Sequence, residues 1–243
     1  MNRPEIKRAY DKDASASYIV IPGGKLAYKV SSIVMLVLGI VSGIVYIFLE
    51  DSMPPYLSLI TKLIPNFLIA AWLMLHGLSN EKWIVFTGVV FALLCDMWMQ
   101  IDRPPFTLIM GIASNLLAFV MYTVFFYRQD KEPAYKWVLP SAIVFMGLYL
   151  VLYPYLDGII KLAVFIYSVS YILFLWRASA LLAHSKKNAY VAFLGAVMIA
   201  VSDGILSFRL FYDIGHSTIY KAAIMLLWWG GIIAVSRYAR ETA

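Results

Sequence analysis

Residues 83–101 read WIVFTGVVFALLCDMWMQI. The run is bounded by Glu81 and Lys82 before it and by DRPP at 102–105 after it. One bilayer crossing takes about 20 apolar residues in a helix, so this run is long enough to be one. It contains a single ionisable acid, Asp96, flanked by Leu, Cys, Met and Trp. A carboxylate inside a span is costly, about 3 kcal/mol on insertion scales, and such groups face a bundle interior or a cavity. The same pattern returns at Asp203, in AVMIAVSDGILSF, residues 196–208.

The rest of the chain agrees with that reading. Of its 243 residues, 62% are hydrophobic, and its mean hydropathy is +0.78. Soluble domains sit nearer half apolar. The net charge of +6 is therefore topological information, and no basic patch interleaved with aromatics speaks for nucleic acid. A single cysteine, Cys95, excludes an intrachain disulfide. Residues 1–29 carry six Lys/Arg and no apolar core, unlike a cleaved signal peptide.

Eight apolar segments are expected: 30–49, 57–78, 83–101, 106–127, 137–153, 157–178, 190–210 and 218–239. Their links are short and rich in Pro, Gly or charge, so consecutive helices should be antiparallel neighbours. The fold class expected is an all-α polytopic bundle of eight transmembrane helices, with two parallel four-helix repeats as a candidate substructure. The expected division is a cytoplasmic tail at 1–29, the helical domain at 30–239 and a cytoplasmic C-terminus at 240–243. Lys82, Arg128, Lys131, Lys136, Arg177, Lys186, Lys187, Arg237 and Arg240 fall on the side of the N-terminal tail, against Arg103 on the other. Both termini are therefore expected in the cytoplasm.

The repeat rests on a constant offset. Phe86, Gly88, Val90 and Asp96 align with Phe193, Gly195, Val197 and Asp203. Gly39 and Gly43 in GIVSG point to close helix packing in the first segment. Asp96 and Asp203 are expected at matching depth in the outer half of the membrane, with Lys62, Asn66 and Lys221 in the same half and Asn115 at mid-depth. Gln100 shares a face with Asp96, and Ser207 with Asp203. Two converging carboxylates with lysines nearby can divide acid and base roles. If Lys62 pairs with Asp96, Asp96 is the base and Asp203 the acid. The plainer alternatives are structural ion pairs for the aspartates and snorkelling for Lys161, Lys221 and Arg209. Trp228 and Trp229 read as interface-belt or lipid-contact residues. His76, His184 and His216 lie at different depths and do not suggest a metal site. There is no phosphate loop or nucleophile elbow.

Several stretches resemble the YhhN-like family of membrane proteins, which includes the lysoplasmalogenases. They are TKLIP (61–65), LHGL (75–78), FTGVVFALLCD (86–96), LYP (152–154), VFIYSVSYILFLWRA (164–178) and GAVMIAVSDGILSFRLF (195–211). The resemblance implies an eight-helix fold and hydrolysis of the vinyl ether bond of lysoplasmalogen, giving a fatty aldehyde and a glycerophospho head group. It places the family's two intramembrane aspartates on Asp96 and Asp203 and its lysine on Lys62. Asn66, Asn115, Tyr122, Tyr167, Ser202 and Lys221 complete the candidate substrate-binding set. The chain departs from the family pattern at Cys95, where a Gly is common, and at Phe119, where a His is usual three residues before Tyr122. It departs again at LLWWGG (226–231), where Tyr-Tyr and a Gln are common. No metal or cofactor is required by this chemistry. The expected partners are a single-chain lysophospholipid and the bilayer, in an endoplasmic-reticulum-type or bacterial inner membrane. The oligomeric state is open. A proton-coupled transporter and a lipid-binding sensor are the alternative functions.

Overall fold

The computed structural model describes residues 24–75, 77–101, 105–212, 215 and 217–242. The N-terminal tail, His76, Arg103 and His216 lie outside the described residues, as do the side chains of Lys25 and Lys29. Among the described residues eight helices are long and apolar enough to cross a membrane, and there is no strand. They are α1 (Gly24–Leu49), α2 (Pro55–Leu75), α3 (Asn80–Gln100), α4 (Phe106–Gln129), α5 (Val138–Leu152), α6 (Gly158–Ala183), α7 (Ala189–Phe211) and α8 (Thr218–Thr242). The chain is an integral membrane protein of the all-α polytopic class. Helix α1 begins six residues before the expected segment, and α8 runs three residues past it.

Short turns reverse each helix onto the next. Ser79 caps α3 by accepting a hydrogen bond from the Lys82 amide at 3.3 Å, with Glu81 in the first turn complementing the helix dipole. Pro65 inside α2 has no amide to give the Thr61 carbonyl one turn back. That carbonyl is instead satisfied by the Ser42 hydroxyl of α1 at 2.8 Å, which ties α1 to α2.

The tightest pairs are α3 with α4 and α7 with α8. The aligned glycines explain both. A Cβ on Gly88 of α3 would come within 2.4 Å of the Tyr122 ring of α4. A Cβ on Gly195 of α7 would come within 2.9 Å of the Gly231 carbonyl of α8. Packing between the halves follows the same relation, since α4 meets α6 and α8 meets α2. Gly43 sits under Trp229 as expected of a packing glycine, but Gly39 makes only ordinary contact with Leu68.

The two ends of the bundle differ. Toward the end where α8 finishes, the interior is a column of fully buried rings, Phe119, Phe125, Phe126, Phe174 and Tyr238. Phe126 stacks on Phe174 with ring centroids 5.7 Å apart. At the opposite end the interior is polar and hollow. Helix α5 is the least buried, followed equally by α1 and α6, and all three expose apolar side chains.

Candidate functional site

The hollow end is a cavity of about 340 Å³. Its wall includes Asp96, Asp203, Lys62, Asn115, Tyr167, Ser202 and Lys221 from the expected set, together with Cys95. Asp96 lies four residues before the end of α3 and Asp203 eight before the end of α7. Counted from the helix starts, Asp96 lies sixteen residues along α3 and Asp203 fourteen along α7, a difference of about 3 Å in rise. The two carboxylates still line the same cavity.

Asp96 is 5% exposed and Asp203 6%. On Asp96, Oδ2 accepts hydrogen bonds from Asn66 Nδ2 of α2 at 2.6 Å and from Trp228 Nε1 of α8 at 3.1 Å. Lys62 Nζ lies 4.0 Å from its other oxygen, Oδ1. On Asp203, Oδ2 accepts from Tyr171 at 2.6 Å, from Asn115 Nδ2 at 2.9 Å and from Tyr167. Asn115 Nδ2 also donates to the Tyr167 hydroxyl at 2.5 Å. Among the described residues no cation pairs with Asp203. A carboxylate in so dry a place needs these donors, because an unsatisfied buried charge costs several kcal/mol, roughly 3–5 when a partner is removed.

The rim of the cavity is a second polar cluster. Lys221 Nζ pairs with Glu50 Oε2 at 2.7 Å and with Asp51 Oδ2 at 3.3 Å. Glu50 Oε1 accepts from Tyr46 at 3.0 Å and from Gln100 Nε2 at 2.9 Å. Gln100 Nε2 also donates to Ser58 at 3.0 Å. Lys221 is therefore not a snorkelling lysine; it is 4% exposed and held inside the bundle. Lys161 sits over the Tyr153 ring at 4.4 Å, consistent with an interface position.

Two expected residues stand behind the cavity wall. Asn66 is fully buried and reaches the site only through Asp96. Tyr122 is fully buried against Gly88 and Phe174, its hydroxyl without a partner, and it does not line the cavity. Ser202 lines the wall but donates its hydroxyl to the Ile224 carbonyl at 2.8 Å. The reading of Trp228 and Trp229 as belt residues is corrected. They are 3% and 6% exposed, and the Trp228 indole is a ligand of Asp96. A buried indole N–H is stabilised by an acceptor, which Trp228 finds in Asp96 while the Trp229 N–H has none among the described residues. Tyr171, Glu50 and Tyr46 belong to the site although sequence reasoning did not select them. Tyr171 lies one turn after Tyr167 on α6, and that spacing was the available signal.

The departures from the family pattern fall in different layers. Cys95 lines the cavity. Phe119 packs behind it, its ring 4.5 Å from that of Tyr171 and 5.5 Å from that of Tyr167. The LLWWGG stretch supplies Trp228 to Asp96 and Gly231 to the α7 contact.

At the other end of the bundle Asp130 caps α4 and is 4% exposed. It pairs with His184 Nδ1 at 2.5 Å and with Lys186 at 3.8 Å, and it accepts the Glu132 amide at 3.1 Å. Arg177 donates to the Asp130 and Glu132 carbonyls. Burial pushes the Asp130 carboxyl up, but the His184 bond, the Glu132 amide and Lys186 together hold it below the usual aspartate value. No group of three or more His, Cys, Asp or Glu able to hold a metal occurs among the described residues.

A comparison with curated proteins and one with solved structures returned no match. The model of the YhhN family matches residues 57–237, which takes in α2 through most of α8 and both aspartates. The chain belongs to the YhhN family.

Proposed function

We propose that this protein is a membrane hydrolase that cleaves the vinyl ether bond of lysoplasmalogen. The observation that carries the reading is one cavity lined by two buried carboxylates, of which only Asp96 has a cation partner among the described residues. Vinyl ether hydrolysis starts with proton transfer to the alkene carbon one bond beyond the ether-bearing carbon. The oxocarbenium ion so formed takes up water, and the hemiacetal collapses to a fatty aldehyde and a free glycerol hydroxyl. The reaction needs one carboxylic acid and one carboxylate, a division that environment alone can impose.

In this reading Asp203 is the proton donor. Its Oδ2 is occupied by three donors, leaving Oδ1 to carry the proton toward substrate. Asp96, beside Lys62, remains a carboxylate that stabilises the cation and draws a proton from water. A cavity of about 340 Å³ accommodates the polar half of a lysolipid, while the hydrocarbon chain leaves between helices. Asn115 and Tyr167 line the same wall and orient the enol ether next to Asp203.

A proton-coupled carrier is the second reading, favoured by the repeated packing of α3–α4 and α7–α8. Detergent-purified protein given an alkenyl-glycerophosphoethanolamine should release fatty aldehyde. Transport of the intact lipid with no aldehyde would replace the hydrolase by the carrier. We place both termini in the cytoplasm on the charge distribution. A cysteine at Lys131 should then label from the cytoplasmic side and one at Asp157 from the other side; labelling of both from one side would overturn this orientation.

A further inference from the structure

Among the described residues three cations line the cavity: Lys62, Lys221 and Arg209. Two are committed, Lys62 beside Asp96 at 4.0 Å and Lys221 to Glu50 at 2.7 Å. Glu50 in turn has both oxygens engaged, by Lys221, Tyr46 and Gln100. Arg209 alone of the three has no carboxylate partner among the described residues. It is half-buried in the last turn of α7, a place where the helix dipole favours a cation, and its side chain forms part of the cavity wall.

We infer that Arg209 is the phosphate-binding residue of the cavity and that its ligand is the phosphodiester of a single-chain ether phospholipid. This rests on the hydrolase reading for the identity of the lipid, and on the cavity geometry for the site. Arg209 follows Asp203 by six residues on the same helix, a rise of about 9 Å. In an alkenyl lysolipid the carbon to be protonated is separated from phosphorus by seven bonds, about 8 Å when extended. A lipid with its phosphate at Arg209 therefore sets its vinyl ether beside Asp203 without folding. A guanidinium also suits the ligand, because its fork meets two phosphate oxygens at once where an ammonium meets one. Lys221, expected from sequence to bind substrate, is in this account part of the strut that holds α8 to the end of α1.

The test is binding, not turnover. The full chain in detergent is titrated with 1-O-hexadecyl-glycero-3-phosphoethanolamine, which has no vinyl bond to cleave, and with 1-O-hexadecylglycerol, which has no phosphate. Arg209→Gln should weaken the phospholipid analogue about 10- to 100-fold, the range for a charged hydrogen bond. It should leave hexadecylglycerol within about twofold of wild type. Arg209→Lys should recover part of the loss. Equal loss of both ligands in Arg209→Gln and Arg209→Lys, or no loss of either, would overturn the assignment. Displacement of the phospholipid analogue by inorganic phosphate alone at millimolar concentration would overturn the lipid as the source of the phosphate. Tight, Arg209-dependent binding by a protein that releases no aldehyde would keep this site and remove the hydrolase reading.

Discussion

Asp96 takes its hydrogen bonds from an amide on α2 and an indole on α8, with an ammonium across from its free oxygen. Asp203 takes its own from two phenols on α6 and an amide on α4. The supporting helices correspond. If α3 matches α7, then α2 matches α6 and α8 matches α4, the same relation that the inter-half packing obeys. Each aspartate is thus cradled by its preceding helix and by the fourth helix of the other half. The chemistry of the cradles differs where their geometry agrees. A repeated scaffold brings two carboxylates to one cavity and surrounds them with different donors.

The largest effect should come from removing either carboxylate. Asp96→Asn and Asp203→Asn should each lower aldehyde release by about 10²–10⁴, the usual worth of a general acid or base. Equal melting temperatures would show that both variants fold. A near-normal rate in either variant would break the pair. Lys62→Met tests what separates the two cradles. It should lower kcat by about 10–100-fold and displace the pH–rate profile, with KM close to wild type, because it removes the charge beside one aspartate only. A raised KM with an unmoved profile would make Lys62 a head-group ligand instead. Tyr171→Phe deletes one of three donors to Asp203 and should cost about tenfold in kcat, near the worth of one charge-assisted bond.

The third buried carboxylate supplies the control and the smallest effect on rate. Asp130→Asn should leave turnover within about twofold and lower stability by roughly 1–3 kcal/mol, the cost of unpairing buried partners. Asp130 titrates below its unfolded value, so its contribution is complete above about pH 4 and fades only as pH falls through the lower folded value. The difference in melting temperature between wild type and Asp130→Asn should shrink as pH falls below about 4. A difference that stayed constant or grew below about pH 4 would refute this assignment.

The helices were legible because hydrophobic runs of span length, cut by Pro and charge, permit little else in a bilayer. Asp96, Asp203 and Lys62 were legible because an ionisable group in such a run is rare. Their partners were not. Trp228 looks like any interface tryptophan until α8 is seen to turn it inward toward Asp96. Glu50 reads as part of a loop, and only the fold brings Lys221 to it from the other end of the chain. Tyr122 was expected from the resemblance alone, and in space it is buried against Gly88 and does not line the cavity. Pairing across helices depends on rotation about each helix axis, and near-uniform apolarity around a span leaves that rotation weakly marked.

The most direct measurement of the central claim is aldehyde formation in heavy water. Purified protein is given an alkenyl lysophospholipid in D₂O, and the aldehyde is trapped as it forms and weighed. Protonation of the alkene by a solvent-exchanged Asp203 carboxyl places one deuterium on the carbon next to the carbonyl. The account predicts that singly deuterated aldehyde from the wild type and almost none from Asp203→Asn. Aldehyde lacking solvent deuterium, or undiminished labelled aldehyde from Asp203→Asn, would contradict it.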